Sequence, residues 1–523
     1  MSGKKKFVNL DAMIPRADFA LIESTDLHST AQIQTLSLRD FQPDSPLLPN
    51  LRKPDFQRET NHWTPVQVVS LIRSFFEGDL IPSVILWSST SSVFVIDGGH
   101  RLSALRAWIL NDFGDGPLSQ QFFGYQITED QKKAAAETRR LAEKEIGSWQ
   151  HWSAKNQQPG LPEEERKRVK DLSTRALQVQ WVWGDADKAE SSFFKINKQG
   201  TPLDDVETLL ISNRKKPCAI AARSIIRAGM GHKYWSSFPG DARIKIEQKS
   251  RELFRILFEP EVNTPIKTLD LPLGGGVGVR AALALLIDFV LLASRNQQGQ
   301  PVSVGDQPDD LTGDETVHVL EKSLYLAQRI TGNDKGSLGL HPAVYFYGPS
   351  GRHTAPLFMG MATLIARKLT DNDPKFFPKF TNCRKKLEDG LVEHKQLIAA
   401  IIQQTRSAKR YDTVANLFKY LIESYANGIN PSEQDLIEQA GVTGKVIVGI
   451  EEGKTAKFSE ETKSAVFLRE ALANALRCPI CGGYLDPNKS VSYDHKTPVR
   501  EGGVGTGGNC QLTHPYCNQS VKQ

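Results

Sequence analysis

Two short spacings near the C-terminus constrain this chain more than anything else in it. They are Cys478-x-x-Cys481 and, 33 residues on, His514-x-x-Cys517. Each pair supplies two ligands from one turn, and four such soft or borderline ligands are what a tetrahedral Zn²⁺ needs. Cys510 fits neither pair. With only six cysteines in the chain, this pattern suits a metal site in a reducing compartment better than a disulfide framework. A zinc-stapled module is therefore expected here.

A purely structural zinc does not require what lies between and beside the pairs. Asp494-His495 follows the β-like run SVSY, Asn509 follows the glycine-rich loop EGGVGTGGN, and Asn518 comes directly after the last zinc-pair cysteine. Phosphodiester hydrolysis at a single metal needs a carboxylate to hold the cation and a histidine to deprotonate water. It also needs a polar residue to fix that histidine and a second metal ligand. The stretch from Cys478 to Lys522 resembles the HNH, or ββα-metal, endonucleases. That resemblance implies Asp494 as a metal ligand, His495 as general base, Asn509 as the residue orienting the base through its loop, and Asn518 as second ligand of the catalytic metal. The second zinc pair is H-x-x-C where the commoner form has C-x-x-C, and the last catalytic position is Asn where it has His. An amide oxygen is a hard ligand, so Mg²⁺ or Mn²⁺ is expected there, beside a structural Zn²⁺.

The remaining chain is too long for one core; at roughly one domain per 150 residues, 523 residues make two to four. Net charge is only +5, so any nucleic-acid surface must come from local clustering. The opening MSGKKKFVNLDAMIPRADF has basic residues with no apolar run behind them. The longest apolar run, Ala281 to Ala293, is too short to span a bilayer and contains Asp288, so it reads as a buried helix. The expectation is a cytoplasmic protein with no membrane association.

In the first part, Thr64 to Gly78 carries helix punctuation: Thr64 to cap, Pro65 at the first position and Gly78 to close, with Val66, Val69, Ile72 and Phe76 as the buried face. Two β-like runs follow, and the second leads into DGGHR and a helix, a strand–turn–helix unit suited to an anion. Read alone, this turn fits equally a structural one in which Asp97 caps the helix and Arg101 makes a surface pair. From Thr128 to about Lys170 a charged, alanine-rich stretch reads as an exposed helical insertion, and Leu177 to Val182 as a further strand. Three segments, PDFQR (54–58), VIDGGHRLSAL (95–105) and FFKINKQGTPLDDVE (193–207), together resemble the ParB/sulfiredoxin-like domain of GmrSD-type and SspE-type restriction proteins. The resemblance covers about residues 40 to 215. It implies a pocket that binds a nucleoside triphosphate and helps sense modified DNA, lined by Gln57, Arg58, Asp97, Gly98, Gly99, His100, Arg101 and Asn197. The family motif is D-G-Q-Q-R; here Gly98 and Gly99 offer no side chain to orient water, so binding is expected and hydrolysis is left open. The stretch GGGVGVR at 274–280 lacks the Lys-Ser/Thr of a P-loop and reads as a turn.

Between the two ends the pattern is mostly helical. Arg384 to Arg410 holds seven Lys/Arg against three Asp/Glu and reads as a solvated face, with a DNA-backbone contact as the sharper alternative. The expected fold is α+β and multidomain: a ParB-like mixed α/β domain (1–215, insertion about 128–170), a helical region (216–458), and a zinc-stapled ββα-metal HNH domain (459–523). Together the resemblances imply an endonuclease cutting foreign, phage or modified DNA under control of the first domain. Homo-oligomers and partner proteins of a defence locus stay open. The alternative is a DNA-binding regulator whose zinc module does not cut.

Overall fold

The computed structural model describes residues 7–17, 33–54, 57, 60–89, 91–156, 158–199, 205–230, 234–276, 279–294, 302–373, 375–406, 409–445 and 458–521. The chain divides into two compact units, residues 1–214 with 230–234, and residues 215–229 with 235–523. The zinc module and the helical region therefore belong to one unit.

The first unit is built on a mixed sheet in the order β1-β3-β5-β4-β6-β2, made of β1 (Arg16–Ala17), β2 (Thr35–Ser37), β3 (Leu51–Pro54), β4 (Val84–Ser88), β5 (Val93–Asp97) and β6 (Ala176–Trp181). Alternation along the strands explains its two covered faces. Val84, Leu86 and Val95 join the larger core with Val68, Val69, Ile72, Leu102, Leu105 and Trp108. The intervening Trp87, Phe94 and Ile96 join a smaller core with Ala189, Phe193 and Ile211. Each such buried side chain contributes about 1.5–3 kcal/mol. The helices are α1 (Pro65–Glu77), α2 (Gly99–Leu110), α3 (Pro117–Phe122), α4 (Glu129–Glu145), α5 (Trp149–Lys155), α6 (Glu163–Thr174), α7 (Ala186–Gln199) and α8 (Asp205–Ser212).

Helix α1 has the expected ends: a Thr64–Gln67 capping box, Pro65 in the first turn and a left-handed Gly78. Its buried face is Val68, Val69, Ile72, Phe75 and Phe76, whereas Val66 is exposed, which corrects the expected stripe by one position. The stretch after Thr128 is helical and much of it is exposed, as read, but its first helix docks on the core. Ala134, Ala135, Thr138 and Ala142 of α4 are buried, and Trp149 and Trp152 pack on the larger core. Charge dominates this composition, yet its small residues fall on one helical face, and that face docks.

The second unit is helical: α9 (Pro217–Ile226), α10 (Gly240–Phe258), α11 (Val279–Ala293), α12 (Asp314–Ile330), α13 (Pro342–Tyr345), α14 (Ala355–Thr370), α15 (Phe376–Glu393), α16 (Lys395–Gln404), α17 (Arg410–Ala426), α18 (Glu433–Gln439) and α19 (Glu460–Ala473). The apolar run is the buried α11, and its Asp288 accepts a hydrogen bond from Tyr411 at 2.9 Å. Among the described residues no helix is long and apolar enough to cross a membrane. Helix α19 begins as read, with the Ser459 hydroxyl accepting from the Thr462 amide. It is followed by the hairpin β7 (Ser492–His495) and β8 (Cys510–Thr513) and a last helical turn, Cys517–Val521.

In the basic stretch at 384–410, Lys385, Lys386, Arg406 and Lys409 are exposed, as a solvated face requires, but two cations depart from that reading. Arg384 is buried, and the half-buried Lys395 donates from Nζ to the carbonyls of Ala343, Val344 and Tyr347. Burial pushes Lys395 down to about 7. These two cations bind backbone carbonyls inside the unit, so they form neither a solvated face nor a DNA contact.

Candidate metal centre and active site

The ligand atoms of Cys478, Cys481, His514 and Cys517 all lie within 4.8 Å of one another. Tetrahedral zinc, with Zn–S near 2.3 Å, separates its ligand atoms by about 3.8 Å, so the cluster fits the ion. The His514 Nδ1 is 3.3 Å from the Cys481 sulfur and 3.9 Å from that of Cys517. Its Nε2 is 2.9 Å from the Tyr484 carbonyl, which places the ring proton on Nε2 and leaves the Nδ1 lone pair for a metal. Burial and the nearby Arg384 guanidinium lower the His514 pKa, favouring the neutral form that ligates.

The helical region holds this centre from beneath. Arg384 of α15 pairs with Glu388 one turn on at 2.7 Å and donates to the carbonyls of Leu338 and Gly339. Glu388 also accepts from the Tyr345 hydroxyl at 2.9 Å and from the Tyr484 amide, between the two zinc pairs. Arg477 stacks 3.7 Å from the Tyr484 ring centre and pairs with Asp389 at 2.7 Å. Ser490 donates to the Gly332 carbonyl at 2.6 Å, and the Tyr516 amide donates to the Ser337 carbonyl at 3.1 Å. Gly339 is required at that contact. Its φ is +57°, and a Cβ there would lie 2.7 Å from the Ser490 oxygen and 2.9 Å from His514 Cδ2.

The hairpin carries the candidate catalytic residues. Asp494 and His495 are the last two residues of β7, inside the strand rather than after it, and face Gln511 and Cys510 in register. Asp494 is buried, and its Oδ2 accepts from Gln511 Nε2 at 2.8 Å. Asn509 closes the glycine-rich loop: Oδ1 accepts from the Thr497 amide at 2.7 Å, while Nδ2 donates to the carbonyls of Thr497 and Val504 at 3.1 and 3.0 Å. The Lys496 amide donates to the Asn509 carbonyl at 2.8 Å, so the residue after His495 is tied to the same point. Asn518 gives its side-chain nitrogen to Ser492 Oγ at 2.7 Å and the Tyr493 carbonyl at 3.2 Å. With those protons committed, its carbonyl oxygen is the atom left to hold a cation. Gln511 was missed in the sequence; its signal is the antiparallel register opposite Asp494, which spacing alone does not fix.

In the first unit the DGGHR segment leaves β5 through Gly98, at φ +99°, and enters α2. Asp97 makes no cap; it pairs with Arg101 at 2.6 Å, and Arg101 also donates to the Ser83 carbonyl at 3.1 Å. Gln57 Nε2 is 3.5 Å from the Ile96 carbonyl, and a Cβ on Gly99 would sit 3.2 Å from Gln57 Oε1. The His100 ring lies 5.2 Å from Trp63 and 6.3 Å from His62, whose Nε2 is 2.8 Å from Glu207. Gln57, Asp97, Gly98, Gly99, His100 and Arg101 are thus brought together around one strand end. Arg58 and the segment 200–204 lie outside the described residues, as does the side chain of Asn197, which falls in α7.

Comparison with known families agrees with this layout at both ends. Residues 43–214 match the family described as GmrSD restriction endonuclease, N-terminal domain. Residues 478–523 match the HNH endonuclease family. No curated protein and no solved structure matches the chain. HNH endonucleases need a metal ion, and the Cys/His cluster can hold zinc. The chain thus joins a region matching the GmrSD N-terminal domain and a region matching HNH endonucleases on one polypeptide, a combination that supports a DNA-cleaving hydrolase.

Proposed function

We propose that this protein is a metal-dependent endonuclease that cuts foreign DNA, phage DNA included, in the cytoplasm, with its first domain deciding when. The observation that carries the reading is the hairpin. Asp494 and His495 sit side by side at a strand end, Asn509 ties down the loop behind them, and the Asn518 amide bonds to the two residues before Asp494. Asp494 and Asn518 would hold Mg²⁺ or Mn²⁺, both offering hard oxygen ligands. Such an ion, when bound, neutralises charge on the scissile phosphate and its leaving oxygen. His495 takes the proton from the attacking water, and Asn509 fixes the backbone that aims it. Zinc at Cys478, Cys481, His514 and Cys517 is structural, since its four protein ligands leave no open position.

A centre that grips the phosphate backbone carries no sequence discrimination. That task falls to the first domain, where the ParB-like DGGHR pocket reads a nucleoside triphosphate or a DNA modification. Cutting of both strands would ask for two copies of the chain or a partner protein of the same defence locus. The test is cleavage of supercoiled plasmid and phage DNA by the full-length protein in Mg²⁺ or Mn²⁺, beside His495→Ala, with and without nucleoside triphosphates. Cutting that the variant loses, and that depends on nucleotide or DNA source, is the expected result. Zinc-loaded, folded protein that binds DNA but leaves it intact would instead make the chain a regulator.

A further inference from the structure

The first unit contains a cleft, away from the DGGHR turn, that holds two arginines. A cleft of about 540 Å³ is lined by Arg52, Arg106, Leu48, Leu118, Gln121 and Phe122 along with three prolines and Ala12. That volume falls within the roughly 300–1,000 Å³ of small-ligand sites. Arg106 lies five residues beyond Arg101 on α2, about 140° around the helix, so it points to a different face from the DGGHR turn.

Both guanidiniums are half-buried and both are desolvated, which lowers their pKa. Arg52 donates to its neighbour's carbonyl, Leu51, at 2.9 Å. Arg106 donates to the Met13 carbonyl, and its Nε is buried with no hydrogen-bond partner. Asp112 is the carboxylate that acts on Arg106, but its oxygens are taken by the amides of Gly114, Gly116 and Ser119 and by the Ser119 hydroxyl. Those bonds instead fix the start of α3, which carries Leu118, Gln121 and Phe122 to the cleft. Two desolvated cations that, among the described residues, make no ion pair with a carboxylate are costly unless an anion completes them. A guanidinium fork matches phosphate oxygens, and an apolar wall with an aromatic ring suits the face of a base.

We propose that this cleft binds a nucleotide, with Arg52 and Arg106 on the phosphate and the base against Leu48, Leu118 and Phe122. The nucleotide is either free or an exposed residue of a DNA strand. The site stands apart from the DGGHR pocket and does not rest on that pocket's role.

The experiment is photo-crosslinking of the full-length protein with 8-azido-dAMP and, separately, with an oligonucleotide carrying 8-azido-dA, followed by peptide mapping. Label is expected on the α3 peptide. It should fall about ten-fold in Arg52→Gln and in Arg106→Gln, the loss that goes with one charge-assisted hydrogen bond, and persist in Arg101→Gln. Labelling by the mononucleotide assigns a free ligand, and labelling by the oligonucleotide alone assigns DNA. Inorganic phosphate should compete in the wild type, a readout that needs no variant to fold. No label on α3 from either probe, no competition by phosphate, or full labelling in both glutamine variants at wild-type melting temperature would overturn the proposal.

Discussion

At the scale of single residues, the proposed active-site hairpin divides into groups placed to meet the reacting atoms and groups that would hold them. Gln511 belongs to the second kind: its amide fixes one oxygen of Asp494 at 2.8 Å. Gln511→Leu should raise the Mg²⁺ or Mn²⁺ concentration for half-maximal cleavage by about 10–100-fold, as removal of a partner behind a metal ligand does. Saturating metal should recover most of the rate, and an unchanged metal requirement would show that the bond does not position Asp494. Buried histidines give the second unit a pH dependence. Burial lowers His341 and His353 to about 4, below the ordinary 6.5. Unfolded, both take up protons between those values while the folded forms do not. Their stabilisation is therefore complete above pH 6.5 and is lost as pH falls toward 4. Urea midpoints measured from pH 7 to 4.5 should fall, and His353→Gln should flatten the fall.

Among the elements, α15 has the largest unexpected role. It reads as one of the most basic stretches of the chain, yet Arg384 and Glu388 are both buried and tie Tyr484 and the 338–339 carbonyls together beside the Cys/His cluster. Glu388→Gln leaves Arg384 without its carboxylate, which typically costs about 3–5 kcal/mol for a buried pair. Thermal melting of the full chain should drop accordingly, with loss of cleavage following unfolding rather than preceding it. Lys385, exposed and paired with Asp389 on the same helix, is the internal control: Lys385→Ala should change stability by under about 1 kcal/mol. Sequence could not separate the two. Composition counts charges on a helix, whereas burial depends on which face meets residues 45 to 96 positions away.

For the whole molecule, the Cys/His module and the helical region lie in one compact unit. Backbone and side-chain bonds from Gly332, Asn333, Ser337, Glu388 and Asp389 enter the module, and Lys489 returns bonds to the Glu259 and Leu271 carbonyls at 2.8 and 2.7 Å. A fragment of residues 459–523 alone should therefore bind zinc weakly and show no cooperative melt, while residues 215–523 should melt cooperatively. Calorimetry of the two fragments decides this. Stripping zinc from the full chain with a chelator should lower the melting transition of the second unit, because metal binding there is folding free energy.

What the sequence determined by itself was chemistry carried by short spacing. The two ligand pairs, the Asp494-His495 step, the strand–DGGHR–helix turn and the ends of α1 could be read because each is made by residues within a turn or two of one another, whereas the two asparagines came from the family resemblance. Residue identity and local geometry suffice for such features. What the tertiary structure decided was everything that depends on distant partners. It turned the alanine face of α4 into core, put Arg384 and Lys395 on buried carbonyls, set Gln511 against Asp494, and left Arg52 and Arg106 in one cleft. Desolvation drives each of these outcomes. Whether a charge or an alanine is buried is a property of the surface that arrives to cover it, and no local stretch of sequence contains that surface.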